Sequence, residues 1–225
     1  MNIKKASSLL VAFSLALTLA LPISASGGAL PVDVPANANI TLPTFDVPCR
    51  NALLISADTG EVLYEKAPDA EVSIASITKV MTLLLTFEAI DSGKVSLSDK
   101  VPTSVHAYEM GGSQIWLEPG EEFTLDEMLK AICVSSANDA AVAVAEFIGG
   151  SEPVFAEMMN RRAAELGMTH THFINACGLD EPGHYSSARD VALMSRELLK
   201  HKDVLKYTNI WMDSLRGGAT QLVNT

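Results

Sequence analysis

The sequence predicts an α/β (α+β) domain in which a β-hairpin leads into a run of helices, and three observations carry that prediction. Two short apolar runs flank an Asp58-Thr59-Gly60 turn, later segments repeat apolar residues at helical spacing behind recognisable caps, and no internal repeat appears. A chain of 225 residues suffices for one substantial core, and 48% hydrophobic against 19% charged residues marks it as globular rather than disordered.

Lys4 and Lys5 precede an uncharged Leu/Ala-rich run from Ser7 to Leu21, and the small residues Ser24, Ala25 and Ser26 follow. That is the pattern of a secretory signal peptide over 1–26, so the protein is expected to be exported. Residues 27–47, with prolines and scattered Asn and Gly but no helical period, read as a linker or N-terminal arm. The folded domain is expected from 48 to 225. Ala52 to Ile55 and Val62 to Tyr64 form the two strands of the hairpin, joined at a glycine free to take positive φ. From Ser76 to about Asp91, Ile77, Val80, Met81 and Leu84 recur at helical spacing in a segment too short and too interrupted for a bilayer. Residues 92–122 read as irregular. Thr124 and Glu127 then make a capping box ahead of Met128, Leu129 and Ile132.

Ala137, Ala140, Ala141, Val144, Ala145 and Ile148 share one face of the next helix, which Gly149-Gly150 stops. Ser151 caps another, with Pro153 in its first turn and Phe155, Met158 and Met159 inward. Ser187 caps a last helix through about Lys200, carrying Val191, Met194 and Leu198. The formal net charge of -11 excludes nucleic acid as an expected partner and offers nothing electrostatic to an anionic polymer or lipid surface. Cys49, Cys133 and Cys177 cannot all pair within one chain and are expected to be small buried thiols.

Chemistry enters at "SITK". A serine hydroxyl is a poor nucleophile without a base, and three residues along a helix Lys79 lies on the same face as Ser76. Such a lysine must be neutral to take a proton, so its pocket must lower its pKa. Backbone N–H groups at the helix start suit an oxyanion. By itself the spacing far more often marks a helix cap with an exposed lysine. Ser136-Ala137-Asn138 offers a second hydroxyl and an amide at another helix entrance, where an N-cap is an equally good reading of the spacing.

Together "SITK" at 76–79 and "SAN" at 136–138 are two of the three motifs of the penicillin-binding serine acyltransferases. From about Asn51 to Thr225, through "LLISADTGEVLYEK", "MGGSQIWLEPGEEFTLDEMLKAICVSSANDAAVAVAE" and "FINACGLDEPGHYSSARDVALMSRELL", the chain resembles the low-molecular-weight D-alanyl-D-alanine carboxypeptidases. The resemblance implies a penicillin-binding transpeptidase-like, β-lactamase-like fold with a helical lobe. It implies Ser76 as the acylated nucleophile, Lys79 as its base, Ser136 as proton relay and Asn138 as holder of the substrate carbonyl. The implied reaction removes the terminal D-alanine of a peptidoglycan stem pentapeptide through an acyl-enzyme, with no cofactor and no metal, and β-lactams acylate the same serine. Its place would be the cell envelope, at the outer face of the cytoplasmic membrane or in the periplasm, with membrane contact only through a C-terminal segment not present here. The family's third motif, Lys-Thr-Gly, does not occur in the 225 residues. The chain is therefore expected to be an N-terminal fragment, truncated before that motif, of an active parent and itself inactive.

Other features are weaker. His170-x-His172 has a zinc spacing without further visible ligands, and His184 reads as a structural hydrogen-bonder, Cys177 as an inert thiol. A class A β-lactamase would need a Glu-x-x-x-Asn loop, and Glu165 lacks the asparagine. A non-catalytic β-lactam or wall-peptide binder is the remaining alternative.

Overall fold

The computed structural model describes residues 46–224, so the expected leader and nearly all of the expected arm lie outside the described residues. The chain is tied down from its first described residues, since Lys66 Nζ donates to the Asp46 carboxylate (2.8 Å) and to the Val47 carbonyl (2.9 Å). Strands β1 (Ala52–Ile55) and β2 (Val62–Lys66) form the expected antiparallel hairpin, with Ala52 opposite Lys66 and an irregularity between Leu54 and Ile55. Among the described residues the other edge of β1 pairs with no strand, and beside it runs a groove of about 510 Å³ lined by Leu53, Ile74, Ile77 and Val191.

Helix α1 (Lys79–Asp91) is buried on most of its circumference, including Met81, Leu84 and Phe87. It begins three residues later than the apolar spacing suggests. Residues Ala75–Thr78 form a tighter 3₁₀ turn, and Ile77 faces outward at 47% exposure instead of joining the core. The stretch expected to be irregular contains β3 (Lys100–Pro102) and α2 (Val105–Tyr108). β3 pairs antiparallel with β4 (Glu122–Thr124), Val101 opposite Phe123. A pairing across twenty residues with three-residue strands leaves too short an alternation to read in sequence.

Helix α3 (Leu125–Ser135) starts on the expected capping box, complete in both directions. Helix α4 (Asn138–Gly149) is the centre of the lobe: Ala140, Ala141, Val142, Ala143, Val144 and Ala145 are all buried, so it is enclosed on every side by α1, α2, α3 and α5 (Glu152–Glu165). Its alanines let those neighbours approach closely. Ser151 caps α5 and Ser187 caps α6 (Ala188–Leu198), as expected, and α6 lies across both α1 and β1. A short α7 (Leu205–Thr208) packs on α3. A terminal hairpin of β5 (Met212–Leu215) and β6 (Thr220–Val223) follows and also packs on α3; it was not foreseen. No helix among the described residues is long and apolar enough to cross a membrane.

Candidate active site

Ser76 sits in the 3₁₀ turn and Lys79 is the first residue of α1. Side chains three apart eclipse in a 3₁₀ turn, which brings the two closer in register than an α-helix would. Lys79 Nζ lies 3.1 Å from Ser76 Oγ, the serine exposed and the lysine 4% exposed. The amine also donates to Asn138 Oδ1 at 2.6 Å and to the Cys177 carbonyl at 2.7 Å. Burial lowers the Lys79 pKa from its usual 10.5 to about 8, against an upward pull from Cys177 and the Asp139 carboxylate.

The distances divide the three contacts by role. An ammonium has three donors, a neutral amine two and a lone pair. The two short contacts go to acceptors that have no proton to give. The longer one goes to the hydroxyl, where a lone pair is useful. In its neutral form Lys79 therefore keeps both anchors and turns its lone pair on Ser76.

Each anchor is itself held. Asn138 Nδ2 donates to the Gly111 carbonyl (2.7 Å), which fixes its amide oxygen toward Lys79, and Asn138 N donates to the Ser113 carbonyl (2.7 Å). A Cβ on Gly112, whose φ is +79°, would come within 2.8 Å of Asn138 Nδ2. On the other side Asn175 folds residues 175–179 into a tight turn. Its Oδ1 accepts from Gly178 N (2.7 Å) and Cys177 N (3.3 Å), and its Nδ2 donates to the Leu179 carbonyl (2.8 Å). Thr82 Oγ1 donates to the Ala176 carbonyl and Glu152 accepts from Ala176 N, so α1 and α5 both grip this turn.

His184 links the two halves of the site. Its Nδ1 accepts from Ile174 N (3.1 Å), so the ring proton sits on Nε2 and is donated to Thr78 Oγ1 at 2.7 Å, between the serine and the lysine. Burial, aided by His172, holds its pKa below the usual histidine value. Its part is structural, as the sequence suggested.

Of the residues predicted from sequence, Ser76, Lys79 and Asn138 converge. Ser136 caps α3 in a left-handed conformation (φ +54°), and its hydroxyl makes no hydrogen bond among the described residues. His170 and His172 are engaged elsewhere, with Glu71 and with the Gly183 carbonyl. Glu165 pairs with Arg162 at the end of α5. No group of three or more metal-ligating side chains occurs among the described residues. Two of the three thiols are not fully buried, since Cys49 is exposed and Cys133 partly so. Burial raises the Cys177 thiol pKa, and it is the carbonyl of Cys177, which sequence reading overlooked, that touches the site.

The sequence reading also missed the clamp on residues 115–117. Asp139, 1% exposed, accepts from Ile115 N and Leu117 N at 3.1–3.2 Å, while Arg216 donates to the Ile115 and Trp116 carbonyls and pairs with Glu121. An acidic residue in the first turn of α4 was the one visible hint. Asp139→Ala strands buried N–H groups, each worth about 1–3 kcal/mol, and is expected to lower the urea midpoint by the equivalent of about 3 kcal/mol. An unchanged midpoint would refute the clamp.

The model of the D-alanyl-D-alanine carboxypeptidase family, peptidase S11, matches residues 37–223. The D-alanyl-D-alanine carboxypeptidase DacF of Bacillus subtilis is 54% identical over 179 residues, which are 78% of this chain and 46% of that protein. Among solved structures, penicillin-binding protein 5 from Haemophilus influenzae superposes with a TM-score of 0.77 at 27% identity, covering 81% of this chain and 54% of that one. Penicillin-binding protein D2 of Listeria monocytogenes, solved with cefotaxime bound, gives 0.71 at 30% identity over 81% of this chain and 74% of that one. The chain spans about half the length of the curated relatives it matches.

Proposed function

Because the chain belongs to the D-alanyl-D-alanine carboxypeptidase family, peptidase S11, we propose that its Ser76 and Lys79 carry the acyl-transfer chemistry of a serine D-Ala-D-Ala carboxypeptidase. The observation that bears most weight is the buried Lys79 amine, anchored by Asn138 and Cys177 and 3.1 Å from an exposed serine hydroxyl. Ser76 Oγ attacks the carbonyl carbon of the penultimate D-alanine while Lys79 takes its proton. The Ser136 hydroxyl gives its proton to the departing D-alanine amine and regains one from the Lys79 ammonium, which restores the neutral amine, and water then hydrolyses the ester. Asn138 retains one amide hydrogen beyond the one given to Gly111, which suits a substrate carbonyl. The domain carrying this role is proposed as residues 48–225, the substrate as a peptidoglycan stem peptide, and the site of action as the outer face of the cytoplasmic membrane or the periplasm. β-Lactams are proposed as covalent inhibitors at Ser76, and the fold's likeness to a cefotaxime-bound relative supports that choice.

The reading is tested by incubating the chain with a fluorescent penicillin and locating the adduct by peptide mass spectrometry. With no Lys-Thr-Gly in the 225 residues, turnover of a D-Ala-D-Ala peptide is not expected of this chain, but a slow covalent label on Ser76 that Ser76→Ala abolishes is; no covalent label sinks the reading. The rate of labelling carries the lysine's signature. The active form is the neutral amine, and with a pKa of about 8 its fraction climbs from roughly a tenth at pH 7 to nine-tenths at pH 9. Labelling should therefore accelerate about tenfold over that interval. A rate that is flat or falls as pH rises removes Lys79 as the base.

A further inference from the structure

The two acceptors that hold the Lys79 amine come from different segments, and a second route joins those segments to each other. Asn138 is fixed by the Gly111 and Ser113 carbonyls, just downstream of α2, while the Cys177 carbonyl belongs to the turn that Glu152 grips through Ala176 N (2.9 Å). The other oxygen of that carboxylate accepts from His106 Nε2 at 2.6 Å, the proton lying on the imidazole because a carboxylate has only lone pairs to offer. His106 is in α2. The contacts therefore close into a ring that runs from the amine through Asn138, the 106–113 segment, His106, Glu152 and the 175–179 turn back to the amine.

Neither helix needs this pair in order to start. Ser151 caps α5 through Val154 N and Ser104 caps α2 through Ala107 N. Glu109 N and Met110 N bond back to the Val105 and Ala107 carbonyls (3.0 and 3.3 Å), which carries the position of His106 on to Gly111. Glu152 is 6% exposed, whereas the His106 side chain is 51% exposed. A buried carboxylate that loses a hydrogen-bond partner turns toward water, and in turning this one releases Ala176 N. Water let in along either anchor reaches the amine, whose base strength comes from burial. The other titratable groups that face the amine are Asp139 on α4, the Cys177 thiol, and His184 through the adjacent Thr78; the Cys177 thiol also faces Glu152.

We propose that His106 and Glu152 are a positioning pair, which sets the reactivity of Lys79 by holding the two anchors of its amine together. Among the described residues neither bonds to Ser76 or to Lys79 directly, so both act through Asn138 and Cys177. The inference rests on the acyl-transfer reading of Ser76 and Lys79 and deepens it, because the base is then governed in part from a half-exposed histidine on another helix.

The test is the rate of fluorescent-penicillin labelling at Ser76 as a function of pH, from about 6.5 to about 9.5, in the wild-type chain, His106→Ala, His106→Gln and Glu152→Ala, with a urea midpoint for each. The wild-type rate is expected to rise with a midpoint at about 8. In His106→Ala that midpoint should move up by about one unit, which makes labelling about tenfold slower at pH 7 and leaves it within about twofold of wild type at pH 9.5. The urea midpoint of this variant should barely change, since the side chain removed is half exposed. His106→Gln keeps an N–H for the carboxylate and is expected to restore the wild-type profile. Glu152→Ala should lose both labelling and stability, and where it does not fold His106→Ala and His106→Gln decide the matter. An unchanged profile in folded His106→Ala, a rate reduced by the same factor at every pH, or no recovery in His106→Gln overturns the positioning pair alone. A wild-type chain that takes no label overturns the acyl-transfer reading and this inference with it.

Discussion

Lys79→Ala is expected to slow penicillin acylation of Ser76 at pH 8 by about a thousandfold, the middle of the range for removing a positioned general base. The size follows from geometry. Ser76 Oγ has one basic group within hydrogen-bond reach among the described residues, and that group is Lys79 Nζ at 3.1 Å. The turn itself should survive, because Thr78 stays pinned by His184. Two buried acceptors, Asn138 Oδ1 and the Cys177 carbonyl, lose their donor. A urea titration of the same variant therefore separates lost chemistry from lost fold. Labelling within threefold of wild type, in a variant that remains folded, would show that another group deprotonates the serine.

The second large effect is expected at a residue with no side chain. A Cβ on Gly178 would lie 1.9 Å from the Ala75 carbonyl oxygen and 2.4 Å from its carbon, where no flexible group can give way, and φ at Gly178 is +87°. Gly178→Ala must therefore drive the 175–179 turn away from the nucleophile turn. That takes the Cys177 carbonyl off Lys79, so the variant should lose more than 4 kcal/mol of stability, in the range reserved for severe backbone and packing lesions, or fold with labelling reduced at least a hundredfold. Both are measured on one preparation, by urea midpoint and by fluorescent penicillin. A variant close to wild type on both counts would mean that the two turns do not abut as described.

The parts of this fold that sequence disclosed are those fixed by neighbours along the chain. Thr124 with Glu127, Ser151 with Pro153, and Ser187 each announce a helix because a cap acts within three residues. The hairpin around Gly60 is equally local. The approach of Ser76 to Lys79 was legible for the same reason, although the turn proved to be 3₁₀. What stayed hidden depends on atoms that every residue owns. The Cys177 carbonyl meets Lys79 across 98 residues, and Asp139 meets the backbone of Ile115 across 24. Backbone groups leave no mark in the alphabet, and Asn175 was recognisable only as an ordinary turn residue. The pairing of Lys100–Pro102 with Glu122–Thr124 was missed because three residues are too few for a period.

The grip on the Lys79 amine has a temporal consequence. Its two short contacts come from segments 59 and 98 residues downstream, so a chain emerging from synthesis carries Ser76 and Lys79 long before the amine has anything to hold it. Until those distant pieces dock, the lysine is solvated and charged, and the hydroxyl beside it is inert. On the proposed chemistry, the reactivity of Ser76 therefore depends on segments that the chain supplies much later than the nucleophile itself.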